Sequence, residues 1–104
     1  MEATKKVAEE WLDTPGAATA MKEYVRLVKL LEGTRKHIAS KGRNPDNAKD
    51  VKELQVRIRT ADEIISTFLT EWLIENHPAL TNYYTKVAVF DHARNEVSPK
   101  GDNE

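Results

Sequence analysis

The stretch VKELQVRIRTADEIISTFLTEW, residues 51–72, decides the fold. Within it Val51, Leu54, Ile58, Ala61, Ile65, Phe68 and Trp72 recur at alternating intervals of three and four. That spacing tracks one side of an α-helix, whereas a half-buried strand requires alternation at every second residue. The second half of the helix, continuing past this segment, adds Ile64, Leu69, Leu73 and Ile74, which makes it apolar nearly all round. This half is therefore expected to be the deep core, covered by other elements, with Phe68 and Trp72 as its anchors.

The neighbouring segments follow from this helix. Gly42 is a natural left-handed stop, and Arg43-Asn44-Pro45-Asp46-Asn47 is a tight polar connection with capping residues. The central helix then runs from about Pro45 or Asn47 to Asn76, on the order of 45 Å at 1.5 Å per residue. Before the connection, Ala20, Tyr24, Leu27, Val28, Leu31 and Ile38, flanked by Met21 and Leu30, predict a helix from about Pro15 to Lys41. So short a connection makes the two an antiparallel hairpin. Asp13-Thr14-Pro15-Gly16 separates the hairpin from a short helix, about Thr4 to Leu12, whose apolar edge is Val7, Ala8, Trp11 and Leu12. Thr14 is expected to cap the following helix, with Pro15 in its first turn.

On the C-terminal side, His77-Pro78 closes the central helix. Leu80, Tyr83, Tyr84, Val87 and Phe90 sit at helical spacing and predict a fourth helix from about Pro78 to Asn95. Residues 83–90 are also rich in β-formers, and the competing reading is a strand. A lone strand needs a partner from another chain, so the helix is preferred. The expected fold is all-α: a long antiparallel helical hairpin with a short N-terminal helix and a C-terminal helix. Residues 1–97 are expected to form one helical domain and 98–104 a flexible tail. A closed monomeric four-helix bundle is the runner-up. Self-association is expected, because the apolar surface exceeds what one thin chain can cover.

Composition narrows the function. The 104 residues are 39% hydrophobic and 32% charged, the balance of a thin helical protein with much surface. There is no cysteine, which removes disulfides, thiolate nucleophiles and thiolate metal sites. Residues 1–6 lack the apolar core of a signal peptide, and no apolar run approaches the roughly 20 residues of a membrane span. A cytoplasmic protein without membrane contact is expected. The net charge of −1 hides an asymmetry: residues 17–60 carry +6, residues 61–104 carry −5 and residues 1–16 carry −2. A basic middle between acidic ends suits an anionic partner or head-to-tail self-association, as well as ordinary solvated faces.

Two sets of residues are candidates for binding. Lys22, Arg26, Lys29, Gly33 and Lys36 share one helix side opposite the apolar face, with Arg43 at the turn and Lys52 and Arg59 on the next helix. Such a surface suits a phosphate backbone, where Lys and Arg displace condensed counterions. Glu23 and Glu32 dilute it, and it holds no aromatic for base stacking. The second set is Trp72, Tyr83, Tyr84 and Phe90, aromatics that serve either as core or as anchors for a protein partner.

Catalysis has little support. His37, His77 and His92 form no metal-ligand pair at helical spacing, and no glycine-rich phosphate loop or nucleophile motif is present. Acid pairs occur at Glu10/Asp13, Asp50/Glu53 and Glu71/Glu75, and Glu9-Glu10-Trp11-Leu12-Asp13 is similar to the acidic stretches that all-helical nucleotide pyrophosphatases gather around magnesium. The pairs here lack a matching inward-facing set. No metal or cofactor is expected. The expected function is a non-enzymatic helical protein-interaction or assembly module, a small subunit or inhibitor within a larger complex. The alternative is a nucleic-acid-backbone binding subunit, and a magnesium-dependent nucleotide hydrolase comes third.

Overall fold

A computed structural model describes residues 2–98. Four α-helices follow one another: α1 (Glu2–Leu12), α2 (Ala17–Ser40), α3 (Lys49–Asn76) and α4 (Tyr83–Val97). Single 3-10 turns at Pro45–Asn47 and Pro78–Leu80 precede α3 and α4. Among the described residues there is no strand, and residues 83–90 are helical. The Asn82 side chain starts α4 by accepting the Thr85 backbone N–H at 3.0 Å, a cap that the β-rich composition of 83–90 does not reveal. Most of the tail assigned to 98–104 lies outside the described residues.

The α2–α3 hairpin forms as the sequence predicts. Gly42 sits at φ 77°, where an L side chain is strained, and lets the chain turn directly after α2. Across the turn, the Arg35 guanidinium meets Asp46 at 2.9 Å. Thr14 does not cap α2. Its hydroxyl donates to the Trp11 carbonyl at 2.6 Å, closing the end of α1, and Gly16, at φ 83°, stands at the start of α2 without a side-chain cap.

The hairpin is covered at one end only. Val7, Ala8 and Trp11 of α1, Ala17 and Met21 of α2, Ile65, Leu69 and Leu73 of α3, and Val89 and Ala93 of α4 form one buried cluster. α1 packs mainly on α4, and α4 also packs on α2 and α3. At the turn end only α2 and α3 remain, sealed by Leu27, Val51 and Leu54. The radius of gyration is 15.7 Å, against about 13 Å for a compact domain of 100 residues. The excess length is this two-helix arm.

The central stripe is buried along Val51, Leu54 and Ile65 and then passes to Leu69 and Leu73. Phe68, expected as a core anchor, is 55% exposed, and Trp72 is half-buried. A strict seven-residue repeat drifts by about 20° per heptad on a straight helix. Three heptads separate Val51 from Trp72, so the end of the stripe has rotated by about 60° out of the core. Ile64 and Ile74 are exposed as well, which corrects the expectation of a second half covered on every side. The fully buried tryptophan is Trp11. On α4, Val89 and Ala93 face inward, Phe90 packs half-buried against the core, and Tyr83, Tyr84 and Val87 face outward. On α2, Met21 and Val25 are more deeply buried than Ala20 and Tyr24.

Candidate interaction surfaces

All seven cations singled out in the sequence, Lys22, Arg26, Lys29, Lys36, Arg43, Lys52 and Arg59, are exposed. Successive helix positions turn by about 100°, which sets the α2 row about 160° from Leu27 and Leu31 and therefore on the back of the hairpin. Lys52 and Arg59 lie on the flank of α3, around the hairpin from that row. Arg43 lies beside a shallow groove at the turn, bordered also by Ile38, Asn44 and Lys49. Within the α2 row, the Arg26 guanidinium binds the Glu23 carboxylate at 2.5 Å. That hydrogen bond holds the Glu23 carboxyl below its usual range, helped by the positive charges of Arg26 and Arg57. The row is therefore partly neutralised at Arg26.

Gly33 lies in the same row, and a Cβ added there would meet no atom within 4 Å. No packing in the fold requires glycine at this position. Gly33→Ala is expected to raise stability by about 0.5–1 kcal/mol, the usual difference between the two residues inside a helix. Urea denaturation would check it, and a loss of stability would mean that the helix is bent at this point.

The four aromatics divide into two kinds. Trp72 and Phe90 tie helices together. The Trp72 ring lies 5.3 Å from the His77 ring, and His77 Nε2 is 2.7 Å from Glu10 Oε2, which joins the end of α3 to α1. Phe90 meets Tyr24 edge to face at 5.4 Å, joining α4 to α2. Tyr83 and Tyr84 instead stand in solvent with their rings edge to face at 5.7 Å, and Tyr84 is 83% exposed. Between α3 and α4, Tyr83, Val87, Phe90 and Leu69 line a groove of about 270 Å³ whose rim carries Asp62, Ser66, Thr70 and Lys86.

The structure adds a surface that the sequence reading assigned to the core. Ile64 and Phe68 stand out from α3, with half-buried Ala61 and Trp72 beside them. Pro15 borders the groove between Phe68 and Trp72, and Leu30 of α2 is exposed near Arg57. The signal was present in the heptad itself, since a repeat that keeps seven-residue spacing must leave a straight helix's buried face.

Among the described residues, no three His, Asp or Glu side chains come close enough together to hold a metal ion. No described helix is long and apolar enough to cross a membrane. No family model, curated protein or solved structure matches the chain.

Proposed function

We propose that this chain is a non-enzymatic interaction module that acts in the cytoplasm, as a small subunit or inhibitor, by presenting rigid helical surfaces to protein. The observation that carries this reading is the number of large apolar side chains held in solvent on well-formed helices: Leu30, Val56, Ile64, Phe68, Ile74, Tyr83, Tyr84 and Val87. Small monomeric proteins do scatter single apolar residues over their surfaces, but contiguous exposed patches mark binding sites. Here Ile64 and Phe68 share one side of α3, and Tyr83, Tyr84 and Val87 cluster on α4. Tyrosine suits an interface because it supplies a large contact area at low entropic cost.

The test is retention of proteins from an extract of the source cells on the immobilised chain, with a Phe68→Asp/Tyr84→Asp variant alongside. Both substitutions are at exposed positions, so the melting temperature is expected to stay within a few degrees of the parent. The parent should retain defined proteins or associate with itself, and the variant should lose most of that binding. A parent that retains nothing and stays monomeric removes the reading.

A second reading, binding of a nucleic-acid backbone, draws on the exposure of all seven cations and the open backbone at Gly33. Oligonucleotide binding that weakens steeply between about 50 and 200 mM salt and disappears in Lys29→Glu/Lys36→Glu would put it first.

A further inference from the structure

Beside the buried stripe, α3 carries a second seam. Arg57, Ile64 and Glu71 are seven residues apart, and so are Ala61, Phe68 and Glu75. Together they alternate by four and three, the a and d pattern of a coiled coil, on a side about 110° from the buried face. Ala61 is half-buried and the other five are exposed. The seam is basic at one end, apolar in the middle and acidic at the other end. Its length from Arg57 to Glu75 is about 27 Å at 1.5 Å per residue.

The order of charges along the seam selects a partner. If a second α3 is laid antiparallel on the first, a positions face d positions, and the apolar centre and the charged ends match. Ile64 meets Phe68 and Phe68 meets Ile64, Ala61 leaves room for Glu71, and Arg57 meets Glu75. All these pairs share one midpoint, at residue 66, so a single two-fold axis generates them, as an isologous dimer requires. A parallel pairing would instead set Arg57 against Arg57 and Glu75 against Glu75, and like charges in register are destabilising.

The acidic end of the seam calls for a cation. Glu71 and Glu75 are one helical turn apart on the same side, a like-charge pair that destabilises a helix. Neither makes an ion pair among the described residues. Both also lie in the last turns of α3, where the helix dipole disfavours negative charge. The apolar middle is flanked by recesses, one beside Leu30 and Arg57 and one beside Pro15, Phe68 and Trp72, which leave space for the side chains of an opposing helix.

We propose that the chain forms an antiparallel two-fold dimer through this α3 seam, with Ile64 and Phe68 at its centre and Arg57 of each copy facing Glu75 of the other, one turn from Glu71. The proposal rests on the interaction-module reading and names a second copy of this chain as one partner.

The test uses charge reversal and mixing, followed by sedimentation velocity from micromolar to about 500 µM, where a short helical interface becomes populated. Arg57→Glu places like charges at each end of its own dimer, and so does Glu71→Lys/Glu75→Lys. Each variant alone should weaken dimerisation by about tenfold or more. Mixed in equal amounts, the two variants restore opposite charges at both ends of the mixed dimer. At one end the introduced glutamate faces the two introduced lysines, and at the other the unaltered Arg57 faces the unaltered Glu71 and Glu75. The mixture should therefore dimerise as the parent does. Ile64→Asp should be monomeric in every mixture. Circular dichroism checks that each variant keeps the helical fold. If Arg57→Glu fails to fold, loss of the dimer in both Glu71→Lys/Glu75→Lys and Ile64→Asp carries the proposal, and retention in either one overturns it.

A parent that is monomeric throughout overturns the proposal, while extract retention decides the wider reading on its own. A parent dimer that survives either Ile64→Asp or Glu71→Lys/Glu75→Lys also overturns the seam but leaves self-association through another surface. A mixture that fails to recover when both variants are folded rejects the antiparallel register.

Discussion

Trp11→Ala should be the most damaging single substitution in this chain, with an expected loss of about 3–5 kcal/mol, typical for a buried tryptophan cut to alanine. Trp11 is 1% exposed and lies in the cluster where all four helices meet. Its neighbours there include the small residues Ala8, Ala17 and Ala93. Small side chains cannot extend into the space that an indole vacates, so most of the cavity should remain. A domain of this size has about 5–15 kcal/mol in total, and the variant should be close to unfolding at ordinary temperature. Equilibrium urea denaturation of parent and variant measures the difference. A loss below about 1 kcal/mol would mean that α1 is not seated on the bundle, and would remove Trp11 as the centre of the fold.

The second large effect comes from adjacent residues with opposite surroundings. Leu73 is 0% exposed and Ile74 is 57% exposed. Leu73→Ala should cost about 2–5 kcal/mol, and Ile74→Ala should stay within about 0.5 kcal/mol. The contrast tests the rotation of α3, because a helix turned so that Phe68 and Trp72 pointed inward would expose Leu73 more and change the ratio. Similar losses at both positions would show that Ile74 is also covered, and would point to an interface on that side of α3.

The helix count, the hairpin and its turn were legible because each rests on a local rule. The three-and-four spacing of 51–72, the stop at Gly42 and the short connection at 43–47 act within a few residues of themselves. The burial of the second half of α3 was only partly legible: the seven-residue drift carries the stripe off the buried face, but what is finally enclosed depends on what covers it. Phe68 and Leu69 are adjacent, apolar and similar in size, and only the positions of α1 and α4 determine which one is enclosed. Trp11 was visible as part of an apolar edge, but a helix of 11 residues gives no sign of how deeply it docks. Tyr83 and Tyr84 left core and partner anchor open, because spacing alone does not say which face of α4 docks, and the smaller Val89 and Ala93 lie inside.

The candidate surfaces were legible to different degrees. The exposed cations of α2 follow directly from helical geometry, since a residue opposite the apolar face has nowhere else to point. The α3 seam from Arg57 to Glu75 was hidden, because Ala61 and Phe68 had already been counted in the buried stripe. Once the helix rotates, the same residues belong to a second repeat with charges at its ends.

The pairing of α1 with α4 sets an order of events in folding. The two segments are separated by nearly the whole chain, whereas α2 and α3 are joined by a few residues. Contacts between distant segments form late, because the entropy of closing the intervening loop must be overcome first. The hairpin arm can therefore assemble while α1 is still free. Until α4 arrives, Trp11, Met21 and Leu69 have no complete shelter, and the half-built bundle offers a sticky apolar face.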